Sequence, residues 1–179
     1  WFIGQGPPSP DASGPGPLGN VAVTLLGLAY VPLLASFVGL TLGRPDGRGV
    51  VVVSIGAVAV YDTFAYLGGS RFGRRRLAPS ISPAKTLEGT LIATLSTLVL
   101  VTLVAPRLGP WSTGQAGVLA ALICTAAPLG DLFESLLKRD LGMKDTGSAL
   151  PGHGGVLDRI DAMLFCAPVA YLTLHIFDL

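Results

Sequence analysis

Charged side chains are scarce. They make up 13% of this 179-residue sequence, where an ordinary soluble domain carries about 25%, and a soluble globular enzyme is a poor fit to that composition. The formal net charge is +1, so no general field attracts nucleic acid or an anionic surface, and any basic character has to be local. No nucleic-acid partner is expected. There are only two cysteines, Cys124 and Cys166, each inside an apolar run, which excludes a disulfide framework or a cysteine-based zinc pattern and leaves them as packing residues. No internal repeat is visible. The first residue is Trp1 rather than Met, and the expectation is a chain whose N-terminus was removed or belongs to something longer.

What the sequence has instead is long uncharged runs. About 20 apolar residues cross a bilayer as helix, within a range of about 17–25. Leu18–Gly43, Gly89–Pro106 and Leu108–Gly130 carry no charge, Gly49–Ser70 carries only Asp62, and Ala162–Phe177 carries only His175. The last run is short, and its helix is expected to begin near Val156 or Leu157, with Asp158 and Asp161 on the first turn. The fold expected is an all-α polytopic transmembrane bundle of about five spans, covering residues 18–179. Ahead of it, residues 1–17 hold Pro7, Pro8, Pro10, Pro15 and Pro17 among glycines and serines and form a linker unable to bury enough apolar surface to fold.

The charges that do exist are concentrated. Arg71–Glu88 holds six and Asp131–Asp161 ten, which is 16 of the 23. Five spans put both windows on one side of the membrane, with nine of the twelve basic residues, while the other side has Arg44, Arg48 and Arg107. By the bias of Lys and Arg toward cytoplasmic loops, both windows face the cytoplasm. Sharing a side, they can build one polar active-site cleft.

In the second window, Asp131, Glu134, Ser135 and Lys138 recur at spacings of three and four. They line one helical face if the fourth span continues into this stretch. Asp158 and Asp161 do the same at the start of the fifth helix, where the helix dipole favours carboxylates. Clustered carboxylates at membrane depth are costly unless paired or bound to a cation, and hard oxygen donors suit magnesium. Lys138, Arg139, Lys144 and Arg159 lie close by in sequence, and Gly152, Gly154 and Gly155 let backbone amides approach an anion. Acid for a metal, base for phosphate and a glycine-rich loop are the parts of phosphoryl or nucleotidyl transfer; a merely solvated charged loop is the bland alternative.

The first window supplies Asp62 inside an apolar run, a functional-site candidate by position or else an internally paired packing residue. Arg74, Arg75 and Arg76 suit topology and lipid headgroups. Ser82-Pro83-x-Lys85-Thr86 is expected to combine a turn with a cation and hydroxyls suited to phosphate.

These residues carry a family resemblance. The run Ser135-x2-Lys138-Arg139-x4-Lys144-Asp145-x-Gly147-x3-Pro151-Gly152-His153-Gly154-Gly155-x2-Asp158-Arg159-x-Asp161 resembles the motif of CDP-diacylglycerol synthases, the phosphatidate cytidylyltransferases. Asp62-Thr63-x-Ala65-Tyr66, followed by Leu77-Ala78-Pro79-x2-Ser82-Pro83-x-Lys85-Thr86, independently resembles the same family's upstream block, with Leu87 where members commonly carry tryptophan. The resemblance implies transfer of CMP from CTP to phosphatidic acid, giving CDP-diacylglycerol and pyrophosphate in phospholipid biosynthesis, in a cell inner membrane. It implies a Mg2+ centre held by Asp131 and Asp158, with Asp161, Ser135 and Glu134 as further candidates and K+ as a second cation. Lys138, Arg139, Lys144, Asp145 and Arg159 join the catalytic set. Asp62, Ser82, Lys85, Thr86, Ser135, His153, Gly154 and Gly155 are expected to bind substrate. A phosphate nucleophile is already ionised near neutral pH, its second pKa being about 6, so His153 shapes the loop rather than accepting a proton; His175 is interfacial. The resemblance further implies a homodimer, and missing N-terminal spans that family members have. Two other readings stand beside it: a CTP-dependent enzyme of another lipid phosphate or a polyprenol, and a non-enzymatic ion-binding transporter or scaffold.

Overall fold

A computed structural model describes residues 16–140 and 157–179. Five of its helices are long and apolar enough to cross a membrane, as the run lengths predict, and the protein is an integral membrane protein built as a helical bundle.

The first crossing is not one uniform helix. α1 (Pro17–Leu28) passes through a π-helical turn at Ala29–Leu33 into α2 (Leu34–Leu42). Pro32 lies inside that turn; having no N–H for the carbonyl four residues back, it is accommodated by widening the helix. α3 (Gly47–Phe72) follows a tight return at Gly43–Asp46. α4 (Leu87–Leu108) starts on Thr86, whose Oγ1 accepts from Gly89 N at 3.2 Å. The boundary with the next span falls later than the charge pattern suggests. Arg107 remains in the last turn of α4, its guanidinium donating to the Leu103 carbonyl, and the break comes at Gly109 and Pro110, because proline cannot continue the helical ladder. α5 (Thr113–Asp140) opens with a reciprocal cap: Ser112 N donates to Gln115 Oε1 at 2.8 Å, and Gln115 N to Ser112 Oγ at 3.4 Å. It continues through the charged stretch, as the spacing of Asp131, Glu134, Ser135 and Lys138 predicts. α6 (Leu157–Ile176) carries Asp158 in its first turn.

Between α3 and α4 the chain forms an antiparallel hairpin, β1 (Arg76–Ala78) and β2 (Ser82–Thr86). This corrects the expectation of a turn at Ser82-Pro83. The turn is at residues 79–81, and Ser82 to Thr86 is extended strand. Glu88 fixes the hairpin's base, its Oε2 accepting from Arg74 N and Arg75 N at 3.0 and 3.1 Å.

The interior is rich in small and β-branched residues: Val50, Ala57 and Val58 on α3, Ala93 on α4, Ala116, Ala120 and Ile123 on α5. Between apolar helices in lipid, small residues permit the close backbone approach on which van der Waals packing depends. Outward faces carry exposed Leu25, Leu95, Val99 and Leu103, which suit hydrocarbon. Where α5 crosses α6 the approach is so close that a Cβ on Gly130 would lie 2.8 Å from the Asp161 carbonyl oxygen. That contact sets the starts of two acid-bearing segments side by side.

Candidate active site

The described parts of the two charged windows meet at one end of the bundle, where α3 and α5 end and α4 and α6 begin. At the other end Arg44 Nη2 donates to the Leu179 carbonyl, and Gly49 lies against the Leu108 carbonyl. Arg44, Arg48 and Arg107 are thus separated from the other described basic residues by the length of the spans.

Lys85 on β2 forms an ion pair with Asp131 on α5, joining residues 46 positions apart. With Asp62, Thr86, Tyr61 and Thr90 they line a cavity of about 240 Å³ between α3, the hairpin, α4 and α5. Arg139 Nε donates to the Ile81 carbonyl at 3.4 Å, a second tether from α5 to the hairpin. Nearer the end of α5, Lys138 Nζ lies 2.7 Å from Glu134 Oε2 and 2.7 Å from Asp158 Oδ1. Glu134 is 1% exposed, and no partner among the described residues reaches its Oε1. Asp161, also buried, interacts electrostatically with Asp131, Asp62 and Lys85, so the carboxylates of three helices share one field.

Of the expected site residues, Asp62, Lys85, Thr86 and Asp131 stand around one cavity, Asp161 interacts with three of them, and Lys138 pairs with Asp158 two turns beyond Asp131 on α5. Ser135 is half-buried on the same helix, and Arg159 is exposed on the first turn of α6. Ser82 pairs with Ala78 in the hairpin and is not part of the cavity lining. Thr86 has a structural duty as well, since its hydroxyl oxygen caps α4. Lys144, Asp145, His153, Gly154 and Gly155 fall outside the described residues.

The donor set suits a hard divalent cation in chemistry: all-oxygen ligands, carboxylates outnumbering the lysines among them, and a buried carboxylate oxygen lacking a partner among the described residues. Among those residues no three metal-capable side chains form a ready-made group. Magnesium does not need one, because it commonly takes one or two carboxylates and completes its shell with water and substrate phosphates.

No motif in the sequence points to Tyr30. Its ring packs edge-on against Phe133 at 5.0 Å and Phe165 at 6.0 Å, forming an aromatic wall beside the acids, and Pro32 was the local signal for the π turn that carries it. Glu134 stood only as a minor ligand candidate; its i,i+4 spacing to Lys138 already marked the pair.

A family model described as the cytidylyltransferase family matches residues 12–177. The chain is 39% identical over 167 residues to the phosphatidate cytidylyltransferase of Thermotoga maritima, covering 89% of this chain and 61% of that protein. It is 41% identical over 161 residues to the enzyme of the same name from Mycobacterium leprae, covering 88% of this chain and 50% of that one. A chloroplastic phosphatidate cytidylyltransferase of Arabidopsis thaliana is 42% identical over 126 residues, 70% of this chain and 32% of its own length. The chain therefore spans between a third and about three fifths of these relatives.

Proposed function

The chain belongs to the cytidylyltransferase family, and from that premise we propose that it forms the catalytic part of a phosphatidate cytidylyltransferase. The reaction is CTP plus phosphatidic acid giving CDP-diacylglycerol and pyrophosphate. The observation that carries the reading is the Lys85–Asp131 pair on the wall of a cavity, because it joins the two charged windows that match the family's motif.

A phosphate oxygen of the lipid attacks the α-phosphorus of CTP. The new P–O bond forms as the bond to the β-phosphate oxygen breaks, and pyrophosphate leaves with its charge. Both reactants are polyanions, so the catalytic task is to offset charge repulsion and align the reacting atoms. Lys85, Lys138, Arg139 and Arg159 supply positive charge from the hairpin and both helix ends, and in this reading Lys144 joins them. Lys85 and Lys138 already engage carboxylate oxygens, and the oxygens of a triphosphate offer the same charge-assisted bonds. Asp131 and Asp158, with Asp161 as a further ligand, would hold magnesium, with potassium as a second cation, and the metal would supply Lewis-acid stabilisation of the developing charge. The ionised lipid phosphate needs no strong general base.

This reading places the site on the cytoplasmic side of a cell inner membrane. The concentration of basic residues at this end supports that side. The unit is a homodimer, an expectation carried over from the family resemblance. The test is incubation of the full-length protein with labelled CTP, magnesium and phosphatidate. Equal yields of CDP-diacylglycerol and pyrophosphate are expected. Product with a polyprenol phosphate but none with phosphatidate would move the assignment to another lipid, and no nucleotide transfer to any lipid phosphate would favour a scaffold or transporter.

A further inference from the structure

Beyond the polar cavity, a separate apolar groove of about 210 Å³ runs between α2, α3 and α6. On α6 its lining extends from Ile160 to Ala170, ten residues and therefore about 15 Å at 1.5 Å per residue. That is the depth of one leaflet, half of a hydrocarbon core about 30 Å thick. Its upper end is adjacent to the acidic cleft. Asp161 directly follows Ile160, and Asp62 lies one turn beyond Val58, the last α3 residue in the lining. A volume of about 210 Å³ spread over that length is far too small for a helix about 10 Å across and is on the scale of a single hydrocarbon chain.

Its chemistry is equally restrictive. The two hydroxyls in the lining are spent on their own helices: Thr41 Oγ1 donates to the Phe37 carbonyl at 2.7 Å and Ser54 Oγ to the Val50 carbonyl at 2.8 Å. Only an apolar occupant gains by entering. The space exists because Ala35, Ala167 and Ala170 stand where larger side chains would fill it. A comparable hollow between α3 and α4 runs from Val60 to Leu108 and has no lining residue on α6, the helix that carries Asp158 and Asp161.

We propose that this groove is the subsite for an acyl chain of the lipid phosphate substrate. It seats one tail along α6 while the phosphate lies in the cleft above Ile160. The inference rests on the catalytic reading and adds a determinant of chain-length preference to it. A tail of about 12 carbons, at roughly 1.25 Å per carbon, fills the same 15 Å that the helical rise gives.

The full-length protein in phosphatidylcholine nanodiscs, with trace phosphatidate carrying a diazirine in mid-chain, tests the placement without requiring turnover. Crosslinking to the Met163–Ala170 segment is expected, suppressed by unlabelled phosphatidate. Equal labelling of that segment by a diazirine phosphatidylcholine would mean a bulk membrane lipid, and no label there would mean that no phosphatidate tail enters the groove; either overturns the proposal. Labelling in a protein that transfers no nucleotide would retain the groove and reject the catalytic reading, so the two fail separately. In turnover, Ala167→Phe is expected to raise KM for dioleoyl phosphatidate about tenfold and leave KM for CTP and for dihexanoyl phosphatidate unchanged. The same change for both lipids overturns the proposal.

Discussion

Lys138 of α5 and Asp158 of α6 meet at 2.7 Å, Nζ to Oδ1, while the same ammonium holds Glu134 Oε2 at 2.7 Å. One cation thus joins two helix ends and serves two carboxylates. The Glu134 side chain is only 2% exposed, so water cannot replace the lysine.

Breaking a buried pair by removing one partner costs about 3–5 kcal/mol, because the remaining charge is left uncompensated. Lys138→Met is therefore expected to lower thermal stability strongly, and Lys138→Arg to lower it much less. Unfolding midpoints in detergent, followed by tryptophan fluorescence, measure the difference. A midpoint for Lys138→Met equal to the parent's would show that the bridge carries no structural weight.

Gly130 is expected to tolerate no side chain. A Cβ there would lie 2.8 Å from the Asp161 carbonyl and 3.1 Å from Phe165 Cβ, so Gly130→Val must separate α5 from α6. Overpacking of this kind costs about 1–3 kcal/mol, and here it also displaces Asp131 relative to Asp161. Turnover should fall more steeply than stability. Gly56→Ala, where a Cβ meets nothing within 4 Å, is the matched control and should leave both near the parent values.

Much of this architecture is legible in the sequence because lipid imposes a simple rule: charge-free runs of the right length become spans, and all five do. The face shared by Asp131, Glu134 and Lys138 was equally readable, since helical period alone fixes it. The hairpin was not. Ser82-Pro83 looks like a turn because proline and serine favour turns, yet the reversal falls at residues 79–81, and Glu88, a residue of the next helix, fixes the hairpin's base by accepting from Arg74 N and Arg75 N. Tyr30 was missed for a related reason. Its place beside Phe133 and Phe165 depends on tertiary packing and a π turn, and no local periodicity encodes either.

The arrangement of spans predicts a labelling pattern. Single cysteines replacing exposed Ser80 in the hairpin turn and exposed Asp140 at the end of α5 should react with an impermeant maleimide from the same side of sealed vesicles. Asp46→Cys, at the opposite end of the bundle, should react only from the other side. The native Cys124 and Cys166 are buried and should give little background. Opposite labelling of positions 80 and 140 would separate the two windows.

Asp131→Asn and Asp158→Asn are each expected to reduce CTP-dependent product formation by at least about 100-fold, or about 2.7 kcal/mol of transition-state stabilisation. Asp161→Asn should act more mildly, raising the magnesium concentration for half-maximal rate about tenfold. Rates measured across a magnesium titration distinguish the two patterns. Near-normal turnover in Asp131→Asn or Asp158→Asn would remove them as metal ligands.

The central claim is that residues from both windows act together in one site, and Lys85 with Asp131 is the pair that tests it. A double-mutant cycle of Lys85→Met and Asp131→Asn, read in kcat/KM for CTP, isolates their coupling from the effect of either change alone. The account predicts that the double variant is little worse than the worse single variant, with a coupling of about 1 kcal/mol or more. Strictly additive losses would contradict it, because they would mean that the hairpin and the end of α5 contribute to the reaction independently.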